Sequence, residues 1–230
     1  MRPLGHNLLD RLVEFWPLSE QASVRLGVHA GLHLTDNNTV TGADGVGSLA
    51  SQFTAANSEY LSRASEAALQ MGDIDFTLAA WVYLDAVGAD RTILGKHDAA
   101  TAAGSEFMMR YNHATTRFRF ALLNASVSTT VDANPFGAPS TATWYLVMGR
   151  YDAAADLMGI SVNAGAEDTA AQTGGTNVLT NGFHVGALNT LAHFSGRIQR
   201  VGMWKRLLTA DERSWLYNGG RGRNYPFVEP

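Results

Sequence analysis

Short alternating or wholly apolar segments recur roughly every dozen positions along this chain, and turn-forming Gly, Asn, Asp or Pro separates them. That spacing suits packed antiparallel strands and leaves no room for the helical crossovers of a parallel sheet. The clearest segment is Phe76-Thr77-Leu78-Ala79-Ala80-Trp81-Val82-Tyr83-Leu84. Phe76, Leu78, Ala80, Val82 and Leu84 share one face of it, while Trp81 and Tyr83 lie on the other. Both faces are therefore covered, or the outer one is an aromatic surface. Arg117 to Leu122 alternates with Phe118, Phe120 and Leu122 inward, and it pairs with Phe107 to Tyr111 across the turn His113 to Thr116. Trp144 to Tyr151 and Leu157 to Asn163 read as a hairpin around Asp152 to Asp156. Phe183 to Ala187 and Phe194 to Trp204 complete the β portion.

The remaining segments are weaker. Leu12 to Leu18, ended by its proline, reads as an edge or first strand. Gly27 to Gly47 is dominated by turn chemistry such as Asp36-Asn37-Asn38. Two strands are expected around Ala50 to Phe53 and Tyr60 to Ser62, with one helical turn from Ser65 to Gln70 capped by Ser65. Gly165 to Gly182 is a loop or a weak strand. One helix is expected, opened by the capping box Thr209-Ala210-Asp211-Glu212 and closed by Gly219. The expected architecture is all-β: a two-sheet antiparallel β-sandwich in a single domain, residues 1–230. The sandwich spans about 8–208, the helix 209–219 and a tail 220–230.

Composition narrows the function. Charged residues are only 17% of the 230, and the formal net charge is −4, against the basic face that phosphate neutralisation demands. Nucleic acid is not an expected partner. Without a single cysteine there is no disulfide, thiolate metal site or Cys nucleophile. No apolar run approaches the ~20 residues that span a bilayer, and Met1 to Asn7 lacks the apolar core of a secretory signal. A cytoplasmically made, non-membrane protein is the expectation.

Several of these segments resemble a known family. Asp75 to Val82 is similar to the "F-T-h-x-x-W-h" strand of laminin G-like, concanavalin A-like jelly rolls, and Ile93-Leu94-Gly95-Lys96 to the strand that follows it. Trp144 to Asp152 resembles the "W-x-h-V…Y-D" strand, with Ile160-Ser161-Val162-Asn163 as its partner. Phe194 to Trp204 resembles "F-x-G-x-I-x-x-V-x-h-W", and Leu208 to Gly219 the closing "L-T-x-x-E…L-Y-N-G" helix. Phe15 to Glu20 resembles the opening strand. Together these cover nearly the whole chain in the family's order. Ala164 departs from the expected Asn-Gly turn, and Ser19 replaces a common aspartate.

No catalytic constellation emerges. Hydrolases of this fold carry acidic residues at alternate positions of one strand, which sets two carboxylates on one face. Glu59, Glu66, Glu106, Glu167 and Glu212 lack that arrangement, and Glu212 is accounted for by its cap. Gly104-Ser105 is not followed by the glycine of a nucleophile elbow, and the glycines near Arg221 and Arg223 have no P-loop lysine. His29 and His33, near Asp36, sit in a glycine-rich loop, where a spacing of four has no ligand geometry. Asp36, Asn38, Asp44, Asp73, Asp75, Asp90 and Asp152 are oxygen donors of the type calcium prefers, yet turn formation accounts for most of them, and calcium is left unassigned. Trp81 and Tyr83 could stack on sugar rings, although core packing is the preferred reading of both. Arg221 and Arg223 belong either to a solvated tail or to a contact with an acidic partner.

No catalytic, metal or cofactor residue is assigned, and the ligand-binding residues stay open. The resemblance implies a non-catalytic structural protein that decorates the capsid or tail of a phage virion, made in the host cytoplasm. Its expected partners are virion proteins such as the major capsid protein, further copies of itself, and cell-surface glycans. The alternative is a carbohydrate-binding lectin module, and the third reading is a polysaccharide hydrolase.

Overall fold

The computed structural model describes residues 7–21, 24–97, 103–125 and 127–227. The strands are β1 (Leu12–Trp16), β2 (Val24–Arg25), β3 (Leu34–Asn37), β4 (Thr41–Asp44), β5 (Leu49–Phe53), β6 (Tyr60–Arg63), β7 (Phe76–Leu84) and β8 (Arg91–Lys96). They continue with β9 (Phe107–Asn112), β10 (Arg117–Asn124), β11 (Val127–Asp132), β12 (Trp144–Asp152), β13 (Leu157–Val162), β14 (Glu167–Ala171), β15 (Phe183–Val185) and β16 (Gly196–Trp204). Helix α1 (Ala210–Tyr217) follows. The first sheet runs β14-β13-β12-β7-β16-β5-β4, with β1 also paired to β16; the second runs β11-β10-β9-β8-β15-β6-β3-β2. The expected all-β sandwich with a short C-terminal helix is what forms.

Alternation decides what each face of β7 meets. Phe76, Leu78, Ala80, Val82 and Leu84 point between the sheets and join Phe107, Phe118 and Phe120 in the main core. The Phe76 ring lies 6.1 Å from Phe107 and 6.3 Å from Phe120. Removing one such ring from water contributes about 2 kcal/mol. The Trp16 indole N–H, buried in the same core, donates to the Leu32 carbonyl at 2.6 Å.

β16 pairs with β7 along one edge and changes partner on the other. Gly196 to Ile198 pair with β5, whereas Val201 to Trp204 pair with β1. A bulge between Gln199 and Gly202 makes the change, with Arg200 at a positive φ of 49°. The extra residue bends the strand and aims Arg200 away from the ladder. Its guanidinium donates to Asn224 Oδ1 at 2.8 Å, the Val46 carbonyl at 2.7 Å and the Arg221 carbonyl at 3.2 Å. Burial lowers its pKa to about 10.

A second apolar cluster lies outside the first sheet. Ala79, Trp81, Leu146 and Trp204 meet Leu216 and Phe227 from the C-terminal segment there. The predicted capping box starts α1: Thr209 Oγ1 accepts the Glu212 N–H at 3.2 Å, and Glu212 Oε2 accepts the Thr209 N–H at 2.9 Å. Arg206 donates to both Glu212 oxygens at 2.7 Å. Burial alone would raise the Glu212 carboxyl, but Arg206 and the cap hold it below the usual carboxylate range. The helix ends on left-handed Asn218, with Gly219 also at positive φ.

Several local expectations change. Residues 220–227 are not a solvated tail: Tyr225 and Phe227 pack against Phe15, with ring centroids 6.5 and 5.0 Å away. The helical turn near Ser65 is a 3-10 turn, Ala67–Leu69, with no side-chain cap; the Ser65 hydroxyl donates to the Leu179 carbonyl instead. The weak region after Gly165 contains β14, and the turn-rich stretch before Gly47 contains β3 and β4. β11 was not expected at all. These are edge or near-edge strands whose ladders stabilise them without an apolar alternation to announce them.

Candidate functional site

The C-terminal segment seals much of the first sheet's outer face. Trp81 is 2% exposed beneath Tyr217, the two rings stacked with centroids 5.7 Å apart and planes within 11°. Core packing therefore holds for Trp81. Two residues further along the same face, Tyr83 escapes the cover and stays half-buried, so the core reading fails for it.

Tyr83 belongs to a row of register partners that crosses the sheet. It sits opposite Trp144 of β12 on one side and Arg197 of β16 on the other. Arg197 pairs with Gln52 of β5, and Gln52 with Thr41 of β4. Trp144, Tyr83, Arg197 and Gln52 are half-buried and Thr41 is exposed. The two aromatic rings lie 5.4 Å apart, tilted by 52°, and the Arg197 guanidinium sits 4.5 Å from the Tyr83 ring centroid. Arg197 Nε donates to Gln52 Oε1 at 3.1 Å, and Gln52 Nε2 donates to Asp85 Oδ2 at 3.0 Å. The row thus offers apolar ring surface beside fixed donors and acceptors, the composition by which concave or flat ligand sites hold polar molecules with one apolar face.

A cavity of about 490 Å³ adjoins Thr41 and is lined also by Gln21, Asp36, Asn38 and Thr39. Asp36 Oδ1 accepts the Val40 N–H at 2.9 Å, while Oδ2 lies 3.9 Å from Arg25 Nη1. Arg25 is wholly buried between the sheets and donates to Ser51 Oγ at 3.0 Å and to the Val40 carbonyl at 2.5 Å. Burial lowers its pKa, and the Asp36 and Glu20 charges raise it in part.

The other sequence candidates do not converge. His33 Nδ1 accepts the Gly27 N–H, and the His29 ring lies 6.1 Å from Tyr225. Among the described residues no group of three or more His, Asp or Glu is placed to hold a metal ion. Asp73 accepts from Tyr151, Asp75 from the Ala153 N–H, Asp90 from His113 N and Arg110, and Asp152 from the Ala155 N–H. Asn38 donates to the Ser58 carbonyl, and Asp44 is exposed. Glu59 accepts from Thr54 N and Asn57, Glu66 pairs with Arg63, and Glu167 with Arg150. Glu106 is buried against Lys96 at 2.7 Å. The Arg223 guanidinium lies 3.6 Å over the Trp215 ring, and Arg221 is exposed. Sequence reading missed Trp144, Arg197, Gln52 and Thr41 as surface residues; only strand pairing aligns them with Tyr83.

The two stacked antiparallel sheets, the outer face of the first sealed over Trp81 and open over Tyr83, are those of a concanavalin A-like jelly roll. The chain belongs to the concanavalin A-like lectin/glucanases superfamily, whose profile matches residues 53–212. Among solved structures, it is similar to the binding domain of Paraclostridial Mosquitocidal Protein 1, with a TM-score of 0.71 and 13% identity over 91% of this chain and 52% of that one. It is also similar to domain 4 of AbnA, a GH43 extracellular arabinanase from Geobacillus stearothermophilus in complex with arabinotriose. That match has a TM-score of 0.64 and 13% identity, over 89% of this chain and 97% of that one. The botulinum neurotoxin serotype D binding domain matches with a TM-score of 0.66 and 9% identity, over 91% of this chain and 52% of that one. The chain spans about half the length of the toxin binding domains it matches. No curated protein sequence matches it significantly.

Proposed function

We propose that this protein is a non-catalytic carbohydrate-binding module whose ligand lies on Tyr83 and Trp144. The observation that carries the reading is the half-buried Tyr83–Trp144 pair flanked by Arg197, Gln52 and Asp85. Rings take the apolar face of a sugar while amide, guanidinium and carboxylate groups take its hydroxyls. The arabinotriose-bound relative supports this reading over virion decoration. Glycan-array screening followed by calorimetry tests it. Tyr83→Ala and Trp144→Ala each should weaken binding at least tenfold, about 1.4 kcal/mol, with unchanged circular dichroism. Undiminished binding by the double variant, or turnover of a polysaccharide, would overturn it.

Display on a phage virion, together with further copies of the chain or a major capsid protein, is a separate proposal about the setting of such a module. Its support is the sequence resemblance alone, and co-sedimentation with purified particles tests it.

A further inference from the structure

Three neighbouring strands of the first sheet end at one rim, and a charged residue flanks each of them there. Arg11 precedes β1, Lys205 follows β16 and Asp75 precedes β7. The register pairs Leu12 with Trp204 and Trp204 with Thr77, and the Lys205 N–H donates to the Arg11 carbonyl at 2.9 Å. A groove of about 590 Å³ opens at this rim, within the roughly 300–1,000 Å³ of small-molecule sites. Leu12, Val13 and Ile74 line it together with the three charged residues. A register shift between Leu12 and Glu14 interrupts the strand alternation, and Leu12 and Val13 both reach the groove. Val13 belongs to the core between the sheets, whereas Ile74 is 39% exposed.

Charge at this rim is unbalanced. Lys205 Nζ donates to the Ala67 carbonyl at 3.5 Å, the limit of a hydrogen bond. Asp75 Oδ1 accepts the Ala153 N–H at 2.9 Å, and Asp10, beside Arg11 in the chain, lies 3.5 Å from Arg206. Among the described residues no carboxylate pairs with Lys205 or Arg11. Partial burial and the charge of Lys96 lower the Lys205 pKa, as for an ammonium with a like charge nearby and no counterion. Two cations against one acid leave a single net positive charge beside an apolar wall. An alkyl chain on Leu12, Val13 and Ile74, with an acid group at the cations, complements both halves.

We propose that this rim binds a free single-chain amphiphile bearing one negative charge, such as a medium-chain carboxylate, with its acid group on Lys205 and Arg11 and its chain against Ile74. The site is independent of the carbohydrate reading. Asp75 and Tyr83 stand eight positions apart, roughly 26 Å of extended chain.

The test is calorimetric titration of the full chain with hexanoate, octanoate and decanoate below their micellar concentrations. The neutral and cationic controls are 1-octanol and octylamine. Affinity should rise by up to about fourfold per added methylene, and octanoate should bind about tenfold more tightly than either control. Lys205→Met keeps the apolar stem and removes the charge; it should cost octanoate about tenfold and leave 1-octanol unchanged. Arg11→Met, at an exposed residue, should act in the same direction, and Ile74→Asp should weaken the whole anionic series with unchanged circular dichroism. Equal affinity for octanoate and 1-octanol, octanoate binding untouched by both methionine variants, no gain with chain length, or no binding at millimolar ligand would overturn the proposal. Association seen only with phosphatidylglycerol vesicles would overturn it in favour of a membrane surface.

Discussion

Trp81 and Tyr217 lie face to face with planes only 11° apart, so the last residue of the C-terminal helix acts as a lid on the central strand of the first sheet. This contact divides an otherwise continuous aromatic face into a sealed half and an open half. Tyr83, on the open side, can meet a ligand because the helix ends before reaching it.

Tyr217→Ala removes that lid. The variant should lose about 2 kcal/mol of stability, from ring burial and stacking. Trp81 should become solvated, seen as a red-shifted tryptophan emission alongside a lower denaturation midpoint. An unshifted spectrum would mean that Leu216 and Phe227 alone keep Trp81 dry.

Glu14 is wholly buried and gathers a loop onto β1. Its Oε1 accepts the His29 N–H at 2.6 Å, and Oε2 accepts those of Leu32 at 2.7 Å and Ala30 at 3.1 Å. Glu14→Ala should cost about 3–5 kcal/mol, since several buried donors lose a charged acceptor together. Glu14→Gln should cost nearly as much, because its NH2 group cannot accept. Chemical denaturation measures both, and a mild Gln variant would contradict the assignment.

Lys96 and Glu106 form an ion pair with both side chains wholly buried. Burial pushes the Glu106 carboxyl up, while Lys96 and the backbone N–H groups of Leu179 and Met71 pull it down; the balance stays above the usual value. A carboxyl raised in the folded state holds its proton more tightly there, so its contribution to stability falls as pH climbs from the unfolded value through the folded one. Lys96→Met removes the main opposing charge and widens that window toward neutrality. The variant should lose about 3–5 kcal/mol at pH 8 and distinctly less at pH 4.5. Lys96→Met with Glu106→Leu should recover most of the loss. A penalty independent of pH would show that the charge is not the cause.

Asn163 and Ala164 both have φ of 55° in the turn between β13 and β14. An alanine pays for the left-handed region about 1–2 kcal/mol, which glycine avoids at some entropic cost in the unfolded chain. Ala164→Gly should therefore stabilise by about 0.5 kcal/mol and raise Tm by about 1–2 °C in differential scanning calorimetry. A fall in Tm would mean that the half-buried methyl contributes more than the backbone strain costs.

Much of the fold was legible because strand alternation and capping chemistry are local. Phe76 to Leu84 announced both of its faces, and Thr209 with Glu212 announced the start of a helix. The strands that were missed, such as β11, or left open between loop and weak strand, such as β14, owe their conformation to a neighbour's hydrogen bonds rather than to their own side chains. The site was legible only in part. Tyr83 stood out as an aromatic on an outer face, yet nothing local separates it from Trp81, two positions away on that same face.

By itself, the order of apolar and turn residues determined that this chain would stack two antiparallel sheets and close with one capped helix. Tertiary structure decided the rest: the helix reaches Trp81 but not Tyr83, pairing brings Trp144, Arg197, Gln52 and Thr41 into one row, and Arg25 is buried beside Asp36. The reason is range. Periodicity reports which way a side chain points, whereas register and packing decide what stands opposite it, and both depend on contacts between residues far apart in the chain.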